Sequence, residues 1–317
     1  MLHVRVVCPA GQSADLLDTL SGSAGVRNLV LLPGAGRQPE GDWVCFDVHD
    51  GAANPVLHAL RDLKLSHERP ISVQRVDAVI GGAARRVGEI GSARREVAPV
   101  WEMVDATIRT GANYAPSFFV LMGIAGLIGA VGILTNSQIL IVGAMVVGPE
   151  YTAIIATALG IANRERALVT DGLLALLYGF PAAIVLTLLF GLVIRWSGLT
   201  PAEFERGVRP VAALINSPNV FSVAVAVLAG IVGVVSLTES RANALIGVFI
   251  SVTTIPAAAS IGVSVAYRDW HEAWGSLLQL LLNVVLLIGV GAAGLVAQRV
   301  IWRRRAARSQ DRDRVDR

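Results

Sequence analysis

The residues of this chain best suited to chemistry form one short run, Gly148-Pro149-Glu150-Tyr151-Thr152, inside the apolar stretch QILIVGAMVVGPEYTAIIATALGIA. Glycine and proline interrupt helices, and a carboxylate inside an apolar span costs about 2–3 kcal/mol or more on insertion scales. Proline also removes a backbone N–H and clashes with the preceding turn, freeing carbonyls that hydrocarbon cannot satisfy. Such backbone persists where it faces protein or a watery cavity. A carboxyl withdrawn from bulk water can take up a proton or a cation, so Glu150 reads as an ion site. A second apolar stretch carries SVTTIPAAAS, with Thr253, Thr254 and Pro256, and a third carries Asn283. The expected substrate- or ion-binding set is therefore Gly148, Pro149, Glu150, Tyr151, Thr152, Thr253, Thr254, Pro256 and Asn283. A structural kink is the competing reading, because many membrane helices bend at proline with no further role. A lone membrane asparagine commonly serves as glue between helices.

Other chemistries find no residues to carry them. There is no His-x-x-x-His, no Gly-x-Ser-x-Gly, no Walker motif and no pair of membrane carboxylates, so an enzyme is not expected. Five scattered histidines and two cysteines, Cys8 and Cys45, lack metal-ligand spacing, and no metal or cofactor is expected. The arginines are dispersed or lie beside apolar runs, which gives no basis for nucleic-acid binding.

The elements that must position the run are membrane helices. The chain has 317 residues, 54% hydrophobic and 16% charged, with a mean hydropathy of +0.60; a soluble domain has about a quarter charged residues. Apolar segments at 117–134, 137–162, 168–196, 219–237, 242–266 and 273–301 predict six spans, each near the roughly 20 residues needed to cross a bilayer. With the N-terminus inside, Arg109, Arg164, Arg166, Arg241 and the tail cluster lie on the inner side. Arg195, Arg206, Arg209 and Arg268 lie outside. That bias predicts cytoplasmic N- and C-termini. The N-terminal residues lack a long apolar signal-peptide core, so no signal peptide is expected and the spans are expected in a cytoplasmic (inner) membrane. Residues 303–317 read as a basic disordered tail, with Arg303, Arg304 and Arg305 against anionic lipid. Closely spaced glycines, Gly123, Gly126, Gly129 and Gly132, allow tight helix packing and a homo-oligomer.

The first three spans resemble the last three. FFVLMGIAGLIGAVGILTNS (118–137) lies over FSVAVAVLAGIVGVVSLTES (221–240), and one residue further on Arg164-Glu165 falls on Arg268-Asp269. Three spans is an odd number, so the second half, 216–301, must enter from the side opposite to the first, 113–196. The expectation is an inverted repeat with matching interruptions in the second and fifth spans, the usual pointer to a transport site. Outside the membrane, Thr200-Pro201-Ala202-Glu203 reads as a capping box, followed by an apolar side of Phe204, Val208, Val211 and Leu214.

Residues 1–79 read as a soluble βαββαβ domain of ferredoxin-like, α+β type. Strands are expected at 2–8, 26–33, 42–48 and 71–79, and helices at 13–23, capped by Ser13, and 54–64. PGAGRQPEGD is expected as a loop, in which Gly34-Ala35-Gly36-Arg37 reads as a plain turn or, more weakly, an anion cradle. Between them and the membrane, residues 80–115 predict an amphipathic helix with Val97, Val100, Trp101, Val104 and Ile108 on one side. It is read as lying at the membrane interface, or else as packed on protein.

This head, the basic connector and TNSQILIVGAMVVGPEYTAIIATALGIANRE resemble the bacterial membrane proteins grouped as the domain-of-unknown-function 389 family. The resemblance rests on Gly143-Ala144-Met145 followed by Pro149, and covers residues 1 to 302. The second proline of the family pattern is replaced near Thr152 and Ala153, and Glu150-Tyr151 stands where an apolar pair is usual. The resemblance implies no activity, so a role for Glu150 rests on this chain's own residues. Two functions follow. One is a secondary transporter or ion pathway for an unknown small molecule or ion, with the head as regulator. The other is a non-transporting sensor or scaffold whose head binds a ligand or partner.

Overall fold

The computed structural model describes residues 1–23, 25–63, 71–76, 101–207, 215–216, 219–238 and 253–315. They fall into two compact units, Met1–Val104 and Asp105–Arg317.

In the first unit, alternation along the strands builds one buried sheet face. Strand β1 (Leu2–Cys8) buries Leu2, Val4, Val6 and Cys8, and β3 (Glu40–Val48) buries Val44, Phe46 and Val48. Helices α1 (Ser13–Ser21) and α2 (Asp50–Asp62) add Leu16, Leu20, Val56, Leu57 and Leu60 to the same core. Each such side chain contributes about 1.5–3 kcal/mol on burial. With β2 (Val26–Arg37) and β4 (Ile71–Arg75), the sheet order is β2-β3-β1-β4, and every neighbouring pair is antiparallel.

Two local expectations change. The segment expected as a loop is an extended hairpin, with β2 running to Arg37 and β3 starting at Glu40. Gly34, at φ +63, gives its N–H to Asp42 Oδ1 (2.8 Å), so the chain's own carboxylate takes the amide an outside anion would need. Ser13 does not cap α1, because a 3-10 turn at Ala10–Gln12 already leads the chain into the helix. Its hydroxyl donates instead to Asp42 Oδ2 (2.5 Å). The Ser13 hydroxyl, and then the Gly34 amide, hold the Asp42 carboxyl below its ordinary value.

The unit boundary falls within α3 (Trp101–Gly111). Val104 and Ile108 are buried, so at these positions the apolar side of α3 meets protein rather than lipid. Residues 97–100 of the expected helix lie outside the described residues.

The second unit is helical. After α3 come α4 (Pro116–Leu134), α5 (Gln138–Val147), α6 (Glu150–Asn163) and α7 (Arg166–Trp196). Then follow α8 (Ala202–Glu205), α9 (Val220–Thr238), α10 (Thr254–Ala266) and α11 (Trp270–Val315). Helices α4, α7, α9 and the Trp270–Trp302 part of α11 are long and apolar enough to cross a membrane. The expected second span is two helices, α5 and α6, bent by 50° at their break, and makes a fifth if counted as one. Of the expected fifth span, only α10 is described; residues 242–252 lie outside the described residues. The expected disordered tail is instead a continuation of α11 to Val315. RRRAARSQDRDR has no glycine or proline and is rich in arginine and alanine, which favour helix. The expected capping box is also different. Pro201 is the N-cap of α8, and the Thr200 hydroxyl pairs with Tyr267 Oη at 2.7 Å. Phe204 is buried edge-on against the Tyr267 ring, whereas Val208, Val211 and Leu214 lie outside the described residues.

Helix starts recur at one spacing. Pro116 and Val220, Glu150 and Thr254, and Arg166 and Trp270 each stand 104 residues apart. The turns recur too. Arg164 and Arg268 both adopt left-handed backbone (φ 58 and 63), followed by Glu165 N–H to Gly160 C=O and Asp269 N–H to Ser264 C=O, each 2.8 Å. Packing follows the same exchange. Helix α4 lies on α7 as α9 lies on α11, while α6 and α10 each touch both α7 and α11.

Helices α6 and α10 run in opposite directions along these two neighbours. On α11, Ser276 meets Ser260, Asn283 meets Thr253, Gly291 faces Ala158, and Arg299 meets Asn163. On α7, Gly172 lies at Ala153 and Thr157, Gly262 lies at Ile184 and Thr187, and Arg195 donates to Ala266 C=O (2.6 Å). The N-termini of α6 and α10 therefore face each other partway along both long helices.

Candidate functional site

The meeting point is made by the sequence Gly148-Pro149-Glu150. Gly148 ends α5 in extended backbone (ψ 129), Pro149 is the N-cap of α6, and Glu150 is its first residue. Thr152 Oγ donates back to Pro149 C=O at 2.7 Å. Glycine is required at 148 for a spatial reason. A Cβ there would overlap Glu150 Oε2 and stand 2.7 Å from Ile255 Cγ1. Pro256 sits in the first turn of α10, where helix N–H groups have no intrahelical partner and proline costs nothing. Both prolines therefore mark helix starts rather than kinks within continuous helices.

Glu150 is 6% exposed. Its Oε1 accepts a hydrogen bond from Thr254 Oγ at 2.7 Å, and its Oε2 is buried with no hydrogen-bond partner among the described residues. Thr253 precedes α10 and accepts from Asn283 Nδ2 at 3.0 Å. Asn283 Oδ1 accepts in turn from Gln279 Nε2 at 3.2 Å, and Gln279 Oε1 is also buried without a partner. The structure thus gathers Gly148, Pro149, Glu150, Thr253, Thr254, Pro256 and Asn283 from the expected set. It does not gather the other two. Tyr151 directs its hydroxyl to Gly233 of α9, and Thr152 lies on the side of Gly111. Gln279 was missed. The signal available for it was its i, i+4 pairing with Asn283 within LLQLLLNVVLL, which puts two amides on one helix face.

Two electrostatic effects oppose each other at Glu150. Burial of a charged carboxylate within an apolar span costs about 2.5–3.5 kcal/mol on insertion scales. Each helix N-terminus carries about half a positive charge and stabilises a nearby anion by about 0.3–1 kcal/mol, up to about 2 kcal/mol when partly buried. Two such termini converge here. The sums are of similar size, so neither the charged nor the neutral carboxyl is strongly excluded. Among the described residues no cationic side chain pairs with Glu150.

Two further polar clusters lie in the same unit. Asn216 Oδ1 accepts from Ser260 Oγ (2.8 Å) and Ser276 Oγ (2.5 Å), extending a polar seam between α10 and α11. At the far end of α6, Arg109 holds both Glu165 oxygens (2.7 and 2.6 Å) and Asp105 (2.8 Å). Asn163 donates to Asp105 (3.1 Å), and Arg299 reaches both Asp105 and Asn163. The Arg109 guanidinium holds the Glu165 carboxyl below its ordinary range.

Apolar side chains such as Leu177, Leu189, Val193, Val220, Phe221, Leu281 and Val285 point outward from these helices. With four to five helices of crossing length among the described residues, they define a polytopic α-helical membrane protein. Residues 145–289 match the model of the family described as Domain of unknown function (DUF389). The match runs from the end of α5 to the middle of α11, a narrower reach than the resemblance over 1–302. No curated protein and no solved structure matches the chain.

Proposed function

We propose that this protein is a secondary transporter or ion pathway whose site is the junction of α6 and α10. One observation carries the reading: two half-helices meet N-terminus to N-terminus, with a buried carboxylate between them. Half-helices that begin within the membrane are costly unless the freed backbone faces protein or a solvated cavity, and paired ones mark substrate sites. The recurrence of helix starts at 104 residues, the twin left-handed arginines and the exchanged packing support a 3+3 inverted repeat of six spans. The strand order of the head supports a ferredoxin-like regulatory domain.

The test is access. In a Cys8→Ser, Cys45→Ser background, Thr253→Cys is probed with a membrane-impermeant thiol reagent in right-side-out and inside-out vesicles. A transport pathway exposes the position to both faces in turn. A thiol unreactive from both sides, or reactive from one alone, counts against the reading. The sensor alternative is favoured by one feature, the sheet surface away from α1 and α2, where Val30 and Leu32 are 43% and 49% exposed. It predicts a closed junction and an unreactive thiol.

A further inference from the structure

We infer that the junction holds one monovalent cation, a proton or an alkali ion, with Glu150 Oε2 as its charged ligand and Gln279 Oε1 as a neutral one. The inference rests on the transport reading and names the ion of that site. Folded interiors pair nearly all buried polar atoms. Here two oxygens, on side chains 6% and 3% exposed, have no donor among the described residues. Among the described residues, the side-chain donors of Gln279, Asn283 and Thr254 are directed elsewhere, and Asn216 Nδ2, in the seam with Ser260 and Ser276, has no acceptor. Gln279 Nε2 is given to Asn283, Asn283 Nδ2 to Thr253, and Thr254 Oγ to the other Glu150 oxygen. What the site lacks is positive charge or a proton, and an anion would add a further acceptor.

The ligands are all oxygen and carry a single negative charge. Oxygen ligands suit hard cations, and the dedicated divalent sites recruit more oxygens and usually more carboxylates. Among the described residues, the surrounding helices supply no competing charge at this depth. Helix α5 has no titratable residue, α10 has none, and α6 has only Tyr151 beside Glu150. On α7 the titratable groups are Arg166, Asp171, Tyr178 and Arg195. On the Trp270–Trp302 part of α11 they are His271, Glu272 and Arg299, toward its two ends. Helix α9 has none. Burial and the two helix N-termini oppose each other, which leaves the carboxyl able to exchange its partner. When the partner is a proton, an O–H bond forms on Oε2 with a proton drawn from water on the open side.

The repeat spacing fixes the stoichiometry. Glu150 and Thr254 occupy equivalent positions, 104 residues apart, as acid and hydroxyl. At the same spacing, Gln279 and Asn283 correspond to Ala175 and Gly179, which carry no ligand. Only one of the two related positions is equipped, so one ion binds per chain.

Full-length protein in nanodiscs tests this. Infrared spectra follow the protonated-carboxyl band over about pH 5 to 9 in choline and in sodium buffers. Radioactive sodium binding is measured in parallel. The expected result is one titrating carboxyl or one bound sodium per chain, lost in Glu150→Gln and weakened at least threefold in Gln279→Leu. A titrating band indifferent to sodium identifies the proton, and saturable sodium binding identifies the alkali ion. Should Glu150→Gln fail to fold, Glu150→Asp and Gln279→Leu must still move the midpoint. Absence of both signals in wild type, or their persistence unchanged in the variants, overturns the inference. A bound ion combined with a thiol at 253 reached from one side alone leaves the cation site standing and removes the transport reading.

Discussion

Gly148→Ala is the sharpest test of how the junction is built. The added methyl would overlap Glu150 Oε2 and stand 2.7 Å from Ile255 Cγ1. Ordinary carbon contacts lie at about 3.5–4.0 Å, so roughly 1 Å of movement must be absorbed on the Ile255 side alone. Ile255 is fully buried, so its side chain cannot swing out into solvent. Residue 148 is extended rather than helical, so alanine gains nothing from helix propensity. Overpacking of this kind costs about 1–3 kcal/mol. Reversible unfolding in mixed micelles measures that cost for wild type, Gly148→Ala, Glu150→Ala and the double variant. Removing the Glu150 side chain relieves one of the two clashes. Gly148→Ala must then cost less in the Glu150→Ala background, with a coupling of about 0.5–3 kcal/mol. A Gly148→Ala protein as stable as wild type, or a cost identical in both backgrounds, would refute the placement of the carboxylate against Gly148.

Other glycines give a built-in control: Gly143→Ala meets nothing within 4 Å and should be neutral or gain about 0.5–1 kcal/mol of helix stability. Gly172→Ala, whose methyl would stand 2.9 Å from Ala153 O, should lose about 1–3 kcal/mol in the same unfolding assay. Thr254→Val keeps the shape but strips Glu150 Oε1 of its donor, and should cost about 1–3 kcal/mol while shifting ion binding; an unchanged binding midpoint would remove Thr254 from the site. Arg109→Ala should cost only about 0.2–1 kcal/mol at neutral pH and low salt, because the pair is partly exposed. Arg109 holds the Glu165 carboxyl below its ordinary value, so this contribution is present above that ordinary value and disappears as pH falls through the depressed one. Thermal unfolding against pH and salt checks the sign, and a difference that grows in acid contradicts it.

The head was legible because its strands alternate. Val4, Val6, Val44 and Phe46 declare their face by period alone, and the structure buries all four. Caps were less legible, because a serine or threonine before a helix has several partners to choose from. Ser13 bonds Asp42, and Thr200 bonds Tyr267, both distant in sequence. The break at Gly148-Pro149 was visible locally, since those residue types act on their own backbone. What lay across it was visible only through the resemblance between the two halves, which matched this break with the Thr253–Pro256 stretch. Gln279 was hidden because one amide in an apolar run looks like helix glue, and its relation to Asn283 matters only once α10 is laid beside α11. The arginine tail was misread from charge alone, which says nothing against a helix built of arginine and alanine.

Helix α11 has a mechanical consequence. Asn283 and Arg299 lie on one uninterrupted rod, roughly 16 residues and therefore about 24 Å apart. A tilt of about 10° pivoting at Asn283 would carry Arg299 sideways by roughly 4 Å, more than the reach of a hydrogen bond. A tilt of this rod that shifts Gln279 against Glu150 would then pull Arg299 away from Asp105 and Asn163. The distance across that clasp becomes a gauge, readable by paired spin labels, of what the buried junction is doing.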